Sequence, residues 1–235
     1  MNKAEQVIYD KLLGYFPTAN ICVSIQHHQI QLSINQEKMS CWKDEWEDKE
    51  AIIVSRLKSL LGQNKRIHGR SCIIKLLDKK TAEPFLNHHH ILGFAKSYYK
   101  LGLFKKDELI AVATFSKGRK MNRLSDNKKS FELIRFCNAS GTTVVGGLSK
   151  LLKHFITLTD AGDIMTYIDK DQSEGKAFLK LGFKLMSESE PIEFQVHKNS
   201  QRRASKNTIN VQDDFHFVKN SGNLKLVYTP HHAKV

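Results

Sequence analysis

The sequence predicts an α/β protein in which a mixed sheet carries helices on both faces, preceded by a small N-terminal α/β appendage. Segments with apolar residues at helical spacing interleave with segments that alternate apolar and polar residues. A glycine pair, Gly146-Gly147, stands where a strand is followed by a helix. The polar run 63–66 resembles a linker, so we expect an appendage over residues 1–65 and a main domain over 66–235.

In the appendage, helical spacing and turn residues define two helices and a two-stranded hairpin. Pro17 ends the first helix, His27-His28 turns a hairpin, and Gly62 ends a second, amphipathic helix. The predicted elements are a helix over Ala4–Tyr15, strands over Ile21–Ile25 and Gln29–Ile34, and a helix over Trp46–Leu61.

The main domain begins with a strand and a helix, continues with three strands, and then alternates helices with strands. The strand after the glycine-led helix is of the parallel type. The predicted strands are Ser71–Leu77, Tyr98–Phe104, Glu108–Phe115, Phe131–Cys137 and Ile164–Ile168, with a final hairpin of Phe215–Lys219 and Leu224–Tyr228. The predicted helices are Lys79–His88, Leu148–Thr157 and Ser173–Leu181.

The charge balance points to a polyanionic partner. The 235 residues include 37 Lys and Arg against 24 Asp and Glu, a net charge of +13. Nucleic acid is the commonest partner of such a chain, although many basic proteins have none. Two polar stretches concentrate the charge and are suited to phosphates. They are Lys117, Arg119, Lys120, Arg123, Lys128 and Lys129, and then Lys198, Arg202, Arg203 and Lys206.

Composition also argues against several classes. No apolar run approaches the roughly 18 residues that a membrane span needs, and the first residues lack an apolar export signal. Four widely spaced cysteines, without a C-x-x-C pair, indicate reduced core thiols of a cytoplasmic protein. The run His88-His89-His90 does not predict a metal site, because adjacent side chains point in different directions.

The segment Val144–Lys150 is the first candidate for chemistry. Glycines let backbone N–H groups approach an anion closely, and a helix N-terminus adds positive partial charge. Ser149 and Lys150 are suited to phosphate contacts there. The alternative is a purely structural glycine turn with solvated helix residues.

The order of segments resembles the GNAT acyltransferase superfamily over roughly Arg66–Met186. The resemblance rests on the hairpin Gly102–Ala113, on the glycine turn, and on Lys176–Lys184, which contains Leu181-Gly182-Phe183. It implies acetyl-CoA or another acyl-CoA as cofactor, two strands that splay apart, and a pyrophosphate seat. The implied cofactor residues are Val144, Val145, Gly146, Gly147, Ser149 and Lys150. Thr143 and Leu148 depart from the family's glycine-turn pattern.

A more specific likeness runs from about Trp42 to Phe183. It resembles the GNAT-like C-terminal part of phage Vsr-like homing endonucleases, with Mom-type acyltransferases related by fold. The motifs are Glu132-Leu133-x-Arg135-Phe136-Cys137, Val144–Lys153, Asp44-Glu45-Trp46, Ser55–Gly62, and Phe85-Leu86-Asn87 with His90 before Gly93. The nuclease motifs themselves are not found, so the appendage resembles an eroded remnant and no nuclease activity is expected.

The GNAT resemblance implies a base and an acid for amine acylation. Glu132 is the candidate base, or else a solvated carboxylate or a partner of Arg135. His90 is a second candidate, as a base or to contact substrate. Phe178 stands where the family places a proton-donating tyrosine, so Tyr167 and Asp169 are the alternatives. Arg135 is either an anion contact, here with nucleic acid, or part of a buried pair.

The resulting expectation is an acyl-CoA-dependent N-acyltransferase that acts on or beside nucleic acid. The alternative is a catalytically inactive DNA-binding module derived from a homing endonuclease. A third class is an ordinary small-molecule or protein acetyltransferase with a basic surface. The acceptor, the acyl group and the oligomeric state do not follow from the sequence.

Overall fold

The computed structural model describes residues 1–125, 127–200, 202–205 and 215–230. The first part of the chain forms α1 (Lys3–Tyr15), β1 (Ile21–Gln26), β2 (Gln29–Ile34), β3 (Glu37–Trp42) and α2 (Lys43–Leu60). Next come β4 (Lys65–His68), β5 (Ile73–Leu76), α3 (Lys79–His89), β6 (Tyr99–Lys105), β7 (Glu108–Phe115) and β8 (Ser130–Asn138). The last part contains β9 (Thr142–Val145), α4 (Gly147–Thr159), β10 (Asp163–Asp169), α5 (Lys176–Lys180), β11 (Lys184–Glu188), β12 (Glu193–His197), β13 (Arg203–Ser205), β14 (Phe215–Lys219) and β15 (Asn223–Tyr228).

A seven-stranded sheet, ordered β11-β15-β10-β8-β7-β6-β5, forms the centre of the predicted main domain. β5 to β8 pair antiparallel in sequence order, and β10 pairs parallel to β8, as predicted. Helix α3 packs Ala82 and Leu86 on Val112, while Phe155 of α4 stacks on Phe115 with ring centroids 3.8 Å apart. Val112 and Phe115 point to opposite faces of β7, because side chains alternate along a strand. The predicted mixed sheet with helices on both faces is confirmed.

The contacts divide the chain into two units whose boundaries differ from residue 65. The first unit comprises Met1–Gly62, Ile168–Glu174 and Glu188–Leu224; the second comprises Gln63–Tyr167, Gly175–Ser187 and Lys225–Val235. C-terminal residues join the first unit because Val196 of β12 and Val218 of β14 pack on Trp42. The appendage is therefore completed by segments from the other end of the chain.

The first unit contains the predicted hairpin and a third strand that the sequence analysis missed. β1, β2 and β3 pair antiparallel, and both turns consist of two residues with positive φ: His27-His28 and Asn35-Gln36. Such turns match the twist of paired strands. A second sheet, ordered β13-β12-β14, belongs to the same unit.

The predicted C-terminal hairpin is wrong. β14 pairs with β12, whereas β15 joins the seven-stranded sheet beside β10. The segment between them is held by Asn220, whose Oδ1 accepts from the N–H of Ile192 at 2.6 Å and from that of Gly222 at 3.0 Å. These bonds separate the two strands instead of closing a turn between them.

Two other features differ from expectation. The supposed linker contains β4, which pairs parallel with β9 from Lys65 opposite Thr142 to His68 opposite Val145. Helix α5 is shorter than predicted and begins only after Gly175, whose φ of 71° interrupts the helical backbone. No helix in the described part of the chain combines the length and apolar character that crossing a membrane requires.

All four cysteines are free thiols, as expected. Burial raises the pKa of Cys41 and of Cys137 to about 12, so both stay protonated and unreactive near neutral pH. Cys22 is exposed, so it is a surface thiol and not a core one. Its position on β1, where successive side chains alternate between faces, places it outward.

Candidate functional site

The glycine turn lies in the second unit, where β9 is followed by α4. Gly146 is the N-cap residue of α4 and has φ 72°, a left-handed conformation that favours glycine, and no side chain caps the helix. A Cβ on Gly147 would lie 2.9 Å from a methyl carbon of Val144, so only glycine fits there. The first N–H groups of a 13-residue helix therefore point out of an uncapped turn.

A second backbone segment lies against this turn. A Cβ on Gly69 would stand 3.1 Å from backbone atoms of both Gly146 and Gly147. This close approach, together with the β4–β9 pairing, places His68 and Arg70 beside the N-terminus of α4. Lys150 fixes the same segment from the helix side, because its ammonium donates to the carbonyl oxygen of Cys72.

The segments border an open pocket of about 590 Å³. Its lining contains cationic or neutral polar side chains and no carboxylate among the described residues. The lining residues are His68, Arg70, Val145, Gly146, Ser149, Lys150 and Lys153. Four of the six predicted cofactor residues are among them, while Val144 and Gly147 are buried.

Sequence reasoning missed His68, Arg70 and Lys153. The available signal was the basic stretch Lys65–Arg70, of which the first two residues were assigned to a linker over 63–66. Since β4 pairs with a strand more than seventy residues later, no local pattern indicated that this run reaches the glycine turn.

Beside the turn, the central sheet opens. β8 and β10 pair only from Ser130 opposite Asp163 to Glu132 opposite Met165, although both strands continue beyond these residues. The hydroxyl of Thr166 donates to the carbonyl oxygen of Leu133 at 3.0 Å and so closes the vertex of the opening. The splay that the GNAT resemblance implied is therefore present in the described residues of these strands.

Glu132, the candidate base, is half-buried at this vertex. Its backbone exchanges hydrogen bonds with Ser116: the N–H of Ser116 donates to the Glu132 carbonyl, and the Ser116 hydroxyl accepts from the Glu132 N–H, both at 2.9 Å. One residue pair further along, Thr114 opposes Arg135 while Phe115 opposes Leu133, so Ile134 forms a β-bulge. The bulge puts Glu132 and Arg135 on the same face.

Arg135 serves the fold as well as the site. Its Nε donates to the carbonyl of Gly93 at 3.2 Å, and one terminal nitrogen donates to the carbonyl of Ile134 at 2.9 Å. Burial lowers the pKa of Arg135, and the charge of Glu132 opposes that shift. From the sequence, Arg135 was expected either to contact an anion or to pair with Glu132. The observed hydrogen bonds are compatible with either role.

The other candidate catalytic residues are dispersed. Tyr167 on β10 is 48% exposed and shares a face with Met165, the partner of Glu132. Asp169 belongs to the first unit. There, burial raises the pKa of its carboxyl, and its Oδ1 accepts from the N–H of Asp171 at 2.9 Å.

His90 caps the C-terminus of α3. Its Nδ1 accepts from the N–H of Leu92 at 3.1 Å, which fixes the proton of the neutral ring on Nε2. In this tautomer His90 is suited to donate a hydrogen bond and not to act as a base through Nδ1. Its neighbour His89 accepts from the N–H of Ser140 at 3.0 Å, and burial lowers the pKa of His89.

The position expected to hold a catalytic tyrosine is occupied by Phe178. It is half-buried and its ring contacts that of Phe183 edge-on, with centroids 5.4 Å apart. It has no proton to donate, and Tyr167, the alternative named from the sequence, lies in the same unit.

The predicted nucleic-acid residues fall into two groups. Lys117, Arg119 and Lys120 are exposed. Arg123 instead pairs with Asp163, whose side chain is only 2% exposed, through contacts of 2.6 and 2.9 Å. Lys128 pairs with Asp160.

The second basic stretch is also largely paired. In the first unit, Arg202 contacts Asp48, and Arg203 contacts Asp44 and Glu45. Lys206 lies outside the described residues. Of the first predicted cluster, Lys117, Arg119, Lys120 and Lys129 are therefore exposed and have no carboxylate partner among the described residues.

Among known proteins, the similarities to this chain are distant ones between structures. No family model and no curated protein matches the chain. A Bacillus subtilis acetyltransferase in complex with CoA is 12% identical, with a TM-score of 0.44 over 68% of this chain and 99% of that chain. The ribosomal-protein-S18-alanine N-acetyltransferase from Escherichia coli is 11% identical, with a TM-score of 0.45 over 69% and 96%. A GNAT family acetyltransferase from Elizabethkingia anophelis with acetyl-CoA bound is 12% identical, with a TM-score of 0.39 over 68% and 99%.

The class that the topology defines is a mixed α/β fold, with the predicted antiparallel succession from β5 to β8, the parallel β10, and a splay between β8 and β10.

Proposed function

We propose that the chain is an acyl-CoA-dependent N-acyltransferase. The observation that carries this proposal is the basic pocket at the uncapped N-terminus of α4, which follows β9, the strand after β8 in the chain, while β8 itself opens from β10. Arg70, Lys150 and Lys153 supply positive charge around N–H groups that are suited to a pyrophosphate. A volume of about 590 Å³ is within the range of cofactor sites.

The acyl arm would occupy the opening between β8 and β10. An extended ligand can add to an exposed strand edge by backbone hydrogen bonds. Beyond Glu132, the described residues of β8 have no register partner on β10, so their backbone is suited to such pairing. This arrangement would place the reactive end of the arm near the vertex, where Glu132 lies.

The acyl-CoA supplies a thioester whose carbonyl carbon is attacked by the acceptor amine. The C–N bond forms as the C–S bond breaks. Glu132 takes the proton that the amine loses, and the Tyr167 hydroxyl is the candidate donor of the proton that the leaving thiolate gains. Glu132 is half-buried and therefore reachable, and Tyr167 lies on the adjoining strand and the same face.

The test is isothermal titration of acetyl-CoA into the wild-type protein and the Gly146→Asp variant. Aspartate tolerates the left-handed conformation, and no atom lies within 4 Å of the new Cβ, so the fold should persist. A carboxylate at this position repels pyrophosphate, and we expect affinity to fall at least about a hundredfold. Unchanged affinity in a folded variant would remove the pocket from the proposal.

Catalysis is tested separately with Glu132→Gln. Loss of a general base lowers kcat by roughly a hundredfold or more, while acetyl-CoA binding stays unchanged. The readout is CoA release in the presence of an amine acceptor. Full kcat in this variant would assign the base elsewhere.

The more specific part of the proposal is that the acceptor is nucleic acid or a partner bound to it. It is supported by the exposed Lys117, Arg119 and Lys120, on a segment that begins at Ser116, which is hydrogen-bonded to Glu132. Replacing these three residues by glutamine should make the slope of log affinity against log salt concentration for duplex binding less steep, by the equivalent of about three phosphate contacts. The matched control is Lys106→Gln in the β6–β7 turn.

The alternative is a catalytically inactive DNA-binding module of homing-endonuclease descent. It is favoured by Phe178, which replaces the proton-donating tyrosine of the family. DNA binding without acetyl-CoA binding would select this alternative. Acetyl-CoA binding without DNA binding would leave an acyltransferase with another acceptor.

A further inference from the structure

A polar row crosses the second unit's sheet on the face of Glu132. Lys100 on β6 is paired with Thr114 on β7, and Thr114 is paired with Arg135 on β8. Paired residues in a sheet point to the same face, so the three side chains stand side by side. The outer two strands are separated by about 10 Å, a span that two long cationic side chains can share.

The centre of this row holds a hydroxyl without a partner. Thr114 has 0% of its surface exposed, and its Oγ1 has no hydrogen-bond partner among the described residues. An unpaired buried hydroxyl costs free energy, and such groups in native proteins call for an explanation. A fully buried donor between two cations is suited to an anion.

The flanking cations keep part of their donor capacity. The Lys100 ammonium donates to the Ser97 carbonyl at 2.9 Å, which uses one of its three protons. Nε and one terminal nitrogen of Arg135 donate to backbone carbonyls. Within the described part of the chain, no partner faces its second terminal nitrogen. Both side chains are half-buried and therefore reachable from solvent.

The row lies next to the candidate base. The β-bulge at Ile134 places Glu132 on the face of Thr114 and Arg135, two residue pairs further along. A group held by the row would thus present its neighbouring atoms to Glu132. The pocket at α4 is built from other residues, so this row adds a separate anion preference.

We infer that Lys100, Thr114 and Arg135 form a subsite for an anionic group, phosphate or carboxylate, that the acceptor carries beside its amine. This inference rests on the proposed acyltransferase function, because it describes the acceptor of that reaction. It makes the acceptor a bifunctional molecule, with the anion held by the row and the amine delivered to Glu132.

The experiment is isothermal titration of dCMP and of deoxycytidine at low salt. The Gly146→Asp background excludes binding of the phosphate in the α4 pocket. We expect dCMP to bind about tenfold more tightly than deoxycytidine. That preference should disappear in Lys100→Met and weaken in the isosteric Thr114→Val, while both variants keep acetyl-CoA affinity in the wild-type background.

The matched control removes a lysine elsewhere: Lys106→Met in the β6–β7 turn. This variant should keep the preference for dCMP. If dCMP and deoxycytidine bind with equal affinity, and succinate competes with their binding in the wild type but not in Lys100→Met, the subsite is assigned to a carboxylate of the acceptor instead of a phosphate. Absence of both effects, or a preference that survives Lys100→Met and Thr114→Val, would overturn the inference. Loss of acetyl-CoA binding alone would overturn the proposed function and leave the anion site.

Discussion

Two regions of this molecule are rich in cations and use them differently. The α4 pocket of the second unit presents Arg70, Lys150 and Lys153 without a carboxylate in its described lining. In the first unit, Arg203 contacts Asp44 and Glu45, and its guanidinium lies 4.6 Å from the ring centroid of Trp42. Both regions contain arginine and lysine, and it is the presence or absence of carboxylate partners that distinguishes a structural cluster from a candidate ligand site.

The cluster around Arg203 extends through buried polar groups. The Gln172 amide donates to Glu45 at 2.9 Å, and its carbonyl oxygens accept from Arg56 at 2.5 and 3.1 Å. Burial lowers the pKa of Arg56, and Glu45 counteracts the shift. Each charge here is satisfied by the protein itself, so a loss of one partner should be felt as instability and not as lost binding.

The largest expected effect is that of Arg203→Met. It leaves Asp44 and Glu45 without their cation, and breaking such a buried pair costs about 3–5 kcal/mol of unfolding free energy. Urea denaturation measures it. Arg202→Met is the matched control, because Arg202 and Asp48 are 59% and 41% exposed and such pairs contribute about 1 kcal/mol or less. Equal losses in the two variants would contradict the distinction.

The opposite outcome is expected for the pocket. Arg70→Gln removes an exposed cation that has no carboxylate partner among the described residues, so the free energy of unfolding should change by about 0.5 kcal/mol or less. Acetyl-CoA affinity should fall about tenfold, the usual effect of losing one charged hydrogen bond. Titration calorimetry and urea denaturation on the same preparation separate the two readouts. A destabilised variant with intact affinity would make Arg70 structural.

The sequence predicted those parts of the fold that are encoded locally. β7 was predicted with both ends correct, because alternation and a tight turn specify a strand and its partner within a few residues. β4 was missed, since its parallel partner β9 is remote and the strand has only four residues. The β14–β15 hairpin was wrong because a turn-like segment, Asn220–Asn223, gives no indication that its flanking strands join different sheets.

The candidate site also contains features that local sequence predicts and features that depend on tertiary contacts. The glycine turn was found from its own residues, and four of its predicted members line the pocket. The shared face of Glu132, Arg135 and Thr114 could not be predicted, because it depends on a one-residue bulge at Ile134. Likewise, the pairing of Arg123 with the buried Asp163 requires knowledge of tertiary contacts.

The smallest expected effect concerns Asp169, which lies in the first unit near the ion pairs of Arg203. Burial raises the pKa of Asp169, with the charges of Asp171 and Glu45 acting in the same direction and Arg203 opposing them. The folded chain therefore holds this proton more firmly than the unfolded chain does. Folding stability falls as the pH rises from the ordinary carboxyl range through the raised folded value, and the penalty persists at neutral pH.

Asp169→Asn should remove that penalty, since Asn Oδ1 can still accept from the N–H of Asp171. We expect the variant to be more stable than wild type at pH 7 and equal to it near pH 3, where both side chains are neutral. Urea denaturation at the two pH values measures the difference, with the exposed Asp107→Asn as control. The gain should be larger in an Arg203→Met background, because the cation that opposes the shift is then gone. A gain of the same size at both pH values would trace the effect to packing and not to charge.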